Sequence, residues 1–108
     1  MEALRQVDDW GARAVAVAVV RDAEVVALRG RRQTVFRWAS VTKPVTALAT
    51  LVAAEEGVVD LDQPAGPEGS TLRHLLAHAS GLPFEGRTPI ARAGERRIYS
   101  NTGFEVLA

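Results

Sequence analysis

The sequence predicts an α+β fold, with a strand-rich part followed by a helical part. Two observations support this. Three short β-prone runs with short connections precede residue 39, and from residue 41 the apolar residues recur with a helical period. We divide the chain into residues 1–39, with an N-terminal helix and sheet strands, and residues 40–108, the helical part. At 108 residues and 47% hydrophobic content, one domain is the limit.

The first part begins with a short amphipathic segment. Residues 2–10 predict a helix with Leu4 and Val7 on one side, which Gly11 ends. Three segments are predicted as strands of an antiparallel meander, namely residues 13–20, 25–28 and 34–38. Residues 21–24 are predicted to form the turn between the first two. Because both faces of the first strand are apolar, we expect it to be covered on both sides or by helices on one side.

The second part begins with a helix that is apolar on nearly every side. Residues 41–54 read VTKPVTALATLVAA, a pattern typical of a buried helix. Pro44 is tolerated only in the first turn, where the N–H groups are unpaired, so it places the helix start close to Ser40. Gly57 is a suitable C-cap.

Two further helices are predicted towards the end of the sequence. Residues 72–79 follow Ser70 or Thr71 as N-cap, and Gly81 and Pro83 are expected to stop the helix. The remaining segments are a polar loop at residues 84–97 and the first turns of a helix at residues 102–108.

The strongest chemical signal is the pair Ser40 and Lys43. Lys43 is the only lysine among 13 basic residues. Arginine stays protonated, whereas a lysine amine can act as a base. Residues at i and i+3 share a helix face, so the hydroxyl and the amine can meet as a nucleophile and its base. The alternative for Ser40 alone is a simple N-cap.

A second short motif contains Tyr99 and Asn101, the only tyrosine and the only asparagine of the chain. A phenol can relay a proton, and an amide can hold a substrate carbonyl or orient a lysine. The alternatives are a core aromatic for Tyr99 and a helix cap for Asn101.

Other polar residues give weaker signals. His78 is expected to bond free carbonyls at a helix C-terminus, and His74 to be partly exposed. Two histidines without a third ligand make a poor zinc site, and Asp60 and Asp62 lack the rest of a calcium loop. We therefore predict no metal and no organic cofactor.

Composition bounds the partners and the compartment. The net charge is zero and no basic stripe with aromatics is present, so we expect no nucleic-acid partner. The apolar run at residues 44–54 is too short to span a bilayer, so no transmembrane segment is expected. No signal peptide is recognisable, and we expect a cytoplasmic rather than a secreted protein.

Three stretches together resemble one enzyme superfamily. They are Ala39–Pro44 with its S-x-x-K motif, residues 72–83 (LRHLLAHASGLP) and residues 99–103 (YSNTG). In this order they are similar to the serine β-lactamases and penicillin-binding proteins, above all to the branch with a Tyr-x-Asn motif. That branch contains class C β-lactamases, D-alanyl-D-alanine carboxypeptidases and β-lactamase-like esterases.

The resemblance implies a β-lactamase-like fold and a role for each motif residue. Ser40 would attack a carbonyl and become acylated, with Lys43 taking its proton. Tyr99 would assist proton transfer, and Asn101 would bind substrate and help to place Lys43. The Ser40 backbone N–H would be one oxyanion donor, worth roughly 3 kcal/mol.

One part of the family pattern is absent from the sequence. No Lys/His-Thr/Ser-Gly run occurs, although in the family this third motif supplies the other oxyanion donor. The chain therefore resembles the N-terminal portion of one β-lactamase-like domain, an antiparallel sheet with helices plus the start of a helical subdomain. We expect its apolar helix to be uncovered, and a second chain or a further C-terminal segment to complete the domain.

These inferences predict a serine hydrolase that acts on a small-molecule acyl substrate, with an ester or small amide favoured over a β-lactam. Two alternatives remain open. One is a non-catalytic member that uses the same cleft for binding, and the other is a structural fragment that is inactive without a complementing chain.

Overall fold

The computed structural model describes residues 2–108, apart from the side chain of Ala3. The chain divides into two compact units, Met1–Arg37 and Trp38–Ala108. The α+β class is confirmed, because the first unit holds the strands and the second holds the α-helices.

The first unit contains a 3₁₀ helix and a hairpin. The helix, Glu2–Trp10, has the predicted bounds but the tighter 3₁₀ winding. Strands β1 (Ala16–Arg21) and β2 (Glu24–Gly30) pair antiparallel, with an irregularity between Val19 and Val20. The predicted turn is confirmed: its two central residues have φ of 50° and 65°, as a tight two-residue hairpin requires. Asp8 and Arg29 form an exposed ion pair within this unit.

Two predictions for the strand-rich part of the sequence are wrong. Residues 34–38 form no strand, and the Val35 side chain is 95% exposed. A strand exists only through pairing, and β-propensity alone does not supply a neighbour. The side chains of β1 and β2 are mostly exposed rather than covered, because the short 3₁₀ helix is the one further described element of this unit that contacts the hairpin.

The second unit begins with the apolar helix. A 3₁₀ turn, Ala39–Val41, leads directly into α1 (Thr42–Glu55), and Pro44 lies in the first turn as predicted. Gly57 follows the helix with φ of 74°, which confirms the predicted C-cap. None of the residues of α1 is buried in the described chain, and Leu48 is 62% exposed. The prediction of an uncovered apolar helix is confirmed.

The core of the second unit lies around α2 (Leu72–Leu76). Leu72, Leu75 and Leu82 form the buried cluster, and Leu75 is 0% exposed. Of the two predicted N-caps, Thr71 holds the position: its hydroxyl accepts the His74 N–H.

Helix α2 ends three residues earlier than predicted. His78 has φ of 57°, in the left-handed region, so the chain leaves the helix before Gly81 and Pro83. Gly81 serves another purpose, because a Cβ there would lie 2.1 Å from the Ala91 carbonyl oxygen. It allows the irregular loop, predicted and found at residues 84–97, to pass close by.

The last helix, α3 (Asn101–Leu107), agrees with the predicted position to within one residue at each end. Its N-cap is Ser100, whose hydroxyl accepts the Gly103 N–H at 2.9 Å. The alternative role of Asn101 as the cap is therefore wrong, and its side chain is available for other contacts. None of the described helices is both long enough and apolar enough to cross a membrane.

Candidate active site

Ser40 lies in the 3₁₀ turn that precedes α1, and its side chain is exposed. The residue before it, Ala39, has φ of 46°, a conformation that non-glycine residues rarely adopt. Neither helical segment has a side-chain cap at its start, so Ser40 is not an N-cap. Its backbone N–H lies in the first turn, where amides lack intrahelical partners.

Lys43 contacts all three of the other predicted site residues. The spacing of three residues places its Nζ 3.3 Å from the Ser40 Oγ, as expected for one helix face. The same Nζ donates a hydrogen bond to the Asn101 Oδ1 at 2.6 Å. It also lies 4.8 Å from the centre of the Tyr99 ring. The half-buried lysine therefore joins the start of α1 to the start of α3.

Tyr99 approaches Ser40 from the other side. Its hydroxyl donates a hydrogen bond to the Ser40 Oγ at 2.8 Å, although 59 residues separate the two in sequence. Polar contact with Lys43 and then the hydrogen bond with Ser40 lower the pKa of Tyr99 from 10.0. Nearby positive charge favours the phenolate, so the phenol is disposed to give up a proton.

Four hydrogen bonds hold residues 98–101 against the chain that follows α2. The backbone N–H of Asn101 donates to the Phe84 carbonyl at 2.9 Å. The Ser100 hydroxyl donates to the Pro83 carbonyl at 2.6 Å. The other two bonds go to one residue, His78, whose carbonyl accepts the Ile98 N–H at 2.7 Å. Its ring Nδ1 accepts the Ser100 N–H at 3.0 Å.

The structure thus corrects the expectation for His78. The ring accepts a backbone N–H instead of donating to helix carbonyls, and it is buried with only 8% of its surface exposed. Sequence analysis missed this role, although the residue lies within the LRHLLAHASGLP motif. The motif itself was the available signal, because helix periodicity does not explain a histidine beyond the last apolar position.

Three of the four predicted site residues line an open cleft of about 660 Å³, and Tyr99 is not part of its lining. Ser40, Lys43 and Asn101 lie along it, and three charged side chains from the loop and from α3 also line it, namely Glu85, Arg87 and Glu105. A cleft of this size accommodates a small organic substrate.

The other polar residues considered in the sequence make local contacts. The half-buried His74 accepts the Thr71 N–H on its Nδ1, which completes a capping box. Asp62 pairs with Arg73 at 2.7 Å on the surface. Within residues 2–108, no three His, Asp or Glu side chains are close enough to one another to hold a metal ion.

Comparison with known proteins identifies a matching family model and two relatives, a penicillin-binding protein and an esterase. A family model described as Beta-lactamase matches residues 3–108. Penicillin-binding protein 4* of Bacillus subtilis (strain 168) is 32% identical over 111 residues, which cover 72% of this chain and 25% of that protein. Esterase EstB of Burkholderia gladioli is 44% identical over 68 residues, which cover 50% of this chain and 17% of that protein.

A solved structure agrees with these matches. The crystal structure of a beta-lactamase from Mycobacterium bovis has a TM-score of 0.84 and 56% sequence identity, covering 98% of this chain and 39% of that one. This chain thus spans well under half the length of each of these relatives. Because the family model matches nearly the whole chain, the resemblance seen in the three motifs is confirmed, and this protein belongs to the beta-lactamase family within the serine β-lactamase and penicillin-binding-protein superfamily.

Proposed function

We propose that this protein is a serine hydrolase that forms an acyl-enzyme on Ser40. One observation carries the proposal: the Ser40 Oγ is contacted from two sides, by the Tyr99 hydroxyl at 2.8 Å and by the Lys43 Nζ at 3.3 Å. A nucleophile in hydrogen-bond reach of a base, which is itself held by a third group, is the arrangement that acyl transfer needs. Asn101 is that third group, because its amide oxygen fixes Lys43.

In the proposed acylation step, Lys43 accepts the Ser40 proton while Oγ bonds to the substrate carbonyl carbon. The Ser40 N–H stabilises the oxyanion, and the bond to the leaving group breaks as that group takes a proton relayed by Tyr99. Water then attacks the acyl ester, gives a proton to the same pair and releases the acid, which restores the free Ser40 hydroxyl.

The proposed substrate is a small carboxylic ester or amide. The name of the Burkholderia relative, Esterase EstB, supports an ester, while the names of the other relatives keep amide and β-lactam substrates as alternatives. The open cleft is lined by Glu85, Arg87 and Glu105, so we expect them to discriminate between charged substrates.

We further propose that a complementing polypeptide completes the site. The sequence lacks the Lys/His-Thr/Ser-Gly run expected to supply a second oxyanion donor, and the apolar side chains of α1, including Val45, Leu48 and Leu51, are exposed. A contiguous apolar face of this kind is typical of a surface that another segment covers. The part of the Mycobacterium protein that this chain does not match can serve as such a segment in an experiment.

Intact-mass measurement with a fluorophosphonate probe tests the function. The 108-residue chain is treated alone and with the complementary part of the Mycobacterium β-lactamase. We expect one adduct in the complemented sample, lost in Ser40→Ala and retained in Ser70→Ala, a buried serine whose hydroxyl has no partner. An adduct that survives Ser40→Ala overturns the assignment of the nucleophile. If the complex forms, binds ester and takes no adduct, the protein is a binding member of the family instead.

A further inference from the structure

His78 is a buried titratable residue that the proposed reaction does not use. Its ring stacks on Tyr99, with the centroids 4.5 Å apart and an interplanar angle of 29°. On its other side it meets Phe104 of α3, with centroids 4.9 Å apart and the rings tilted by 37°. The imidazole therefore lies between the core and the phenol that contacts Ser40.

The polar contacts of His78 flank Tyr99 in the sequence. Its carbonyl accepts the Ile98 N–H at 2.7 Å, and its Nδ1 accepts the Ser100 N–H at 3.0 Å. The residues immediately before and after the tyrosine are thus held by one residue. Since Nδ1 accepts a hydrogen bond, the neutral ring carries its proton on Nε2.

The backbone of His78 makes this geometry possible. Its φ of 57° takes the chain out of α2, and histidine is one of the few non-glycine residues enriched in that region. A strained backbone at a site that also carries a buried polar contact is a reason to look for a functional role.

We propose that His78 is a positioning residue that holds Tyr99 and Asn101 in register with Ser40 and Lys43, and that it does so only in its neutral form. This inference rests on the proposed function for its consequence in catalysis. Its structural content is that the Tyr99 hydroxyl stays on the Ser40 Oγ because the Ser100 amide is anchored on the imidazole.

The charges around the ring are consistent with a neutral His78. Burial, then the positive charges of Arg97 and Lys43, lower the pKa of His78 from 6.5. Lys43 comes from α1, Arg97 and Tyr99 from the segment before α3, and α3 itself presents the apolar Phe104. Protonation of Nδ1 would place an N–H against the Ser100 N–H and remove the anchor.

Titration of Tyr99 tests the proposal without any need for catalysis. As Tyr99 is the only tyrosine, the near-ultraviolet absorbance of phenolate reports this residue alone. Three variants separate the stacking of His78 on Tyr99 from the hydrogen bond that His78 accepts from Ser100. His78→Asn keeps an acceptor and tolerates the left-handed backbone, His78→Phe keeps the ring, and His78→Ala removes both. His74→Ala is the matched control, since its Nδ1 also accepts a backbone N–H, at 3.2 Å, but from Thr71.

We expect the pKa of Tyr99 to lie below 10.0 in the wild-type chain and in His74→Ala, and to rise towards 10.0 in His78→Ala. His78→Asn should restore most of the lowering. Fluorophosphonate labelling of Ser40, under the condition in which the wild-type chain reacts, should slow on the order of tenfold to a hundredfold in His78→Ala. As the pH is lowered and His78 becomes protonated, the labelling rate of the wild-type chain should decrease. His78→Asn should lack this His78-dependent decrease.

Two results overturn the inference. One is a lowered wild-type Tyr99 pKa that no His78 variant changes, which leaves the proposed function standing if Ser40 labels. The other is a wild-type Tyr99 pKa of 10.0, which contradicts the anchored geometry itself. Conversely, a His78-dependent Tyr99 pKa in a protein that never labels keeps the positioning role and rejects the hydrolase.

Discussion

The two halves of the candidate site are supported in different ways. Ser40 lies in the 3₁₀ turn before α1 and Lys43 in the first turn of α1, a helix with no buried residue and an exposed apolar face. Tyr99 and Asn101 belong to a segment that four hydrogen bonds fix beside the Leu72–Leu75–Leu82 core. The halves are joined by the hydrogen bonds from Lys43 to Asn101 and from Tyr99 to Ser40, and by the contact of Lys43 with the Tyr99 ring.

This difference teaches that local spacing and tertiary anchoring contribute separately to the site. The Ser40–Lys43 pair follows from three residues of helix and needs no core. The Tyr99–Asn101 pair has no regular secondary structure before α3, so its position depends on the residues that hold it.

The largest effect is expected from Lys43→Arg, which keeps the charge at the link but removes the base. Arginine cannot be deprotonated in proteins, so we expect the rate of Ser40 labelling in the complemented protein to fall about 10²–10⁴-fold. The control is Arg73→Lys, the reverse exchange in the exposed pair with Asp62, which should label at the wild-type rate. Wild-type labelling in Lys43→Arg would assign the proton transfer to Tyr99 alone.

A smaller effect is expected on the free energy of unfolding, which distinguishes the buried core beside Tyr99 and Asn101 from the exposed face of α1. Leu75→Ala removes a fully buried side chain, and we expect the free energy of unfolding in urea to fall by about 2–5 kcal/mol. Leu48→Ala removes the same atoms from the exposed face of α1 and should change it by less than about 0.5 kcal/mol in the chain alone. Adding the complementing polypeptide should make Leu48→Ala destabilising. If Leu48→Ala is costly without it, α1 is already covered in solution.

The smallest effect is expected from a change of pH, which alters the free energy of unfolding through protonation of His78. The folded pKa of His78 lies below 6.5, because burial and the nearby positive charges oppose protonation. As the pH falls from 6.5 towards that lower pKa, the unfolded chain binds a proton that the folded chain does not. The free energy of unfolding should therefore decrease over this window and show no His78 contribution above it. Urea denaturation across the window checks this, with His78→Asn as the variant that should lack the decrease.

Local patterns in the sequence were sufficient for much of the second unit. The apolar period and Pro44 fixed the start of α1, Gly57 its end and Thr71 the cap of α2, because each depends on backbone groups within a few residues. The contact between Ser40 and Lys43 belongs to this class. Motif order in the sequence also sufficed to identify the family, which the comparisons confirm.

Pairing and long-range contacts decided the rest. Residues 34–38 have strand propensity, but a strand needs a partner, and the described residues supply none there. Helix α2 ends early because His78 takes a left-handed conformation that its contacts with Ile98 and Ser100 stabilise, twenty or more residues along the chain. Helical periodicity carries no information on such contacts.

The sequence by itself therefore determined which residues are candidates for the chemistry, and it determined the local geometry of Ser40 and Lys43. Only the tertiary structure decided that Tyr99 and Asn101 meet them, across 59 and 58 residues of chain. It also showed that His78 accepts hydrogen bonds from Ile98 and Ser100, on either side of Tyr99. The physical reason is that helix spacing is set by local backbone hydrogen bonds, whereas the meeting of distant segments is set by burial and by polar groups that must find partners in the core.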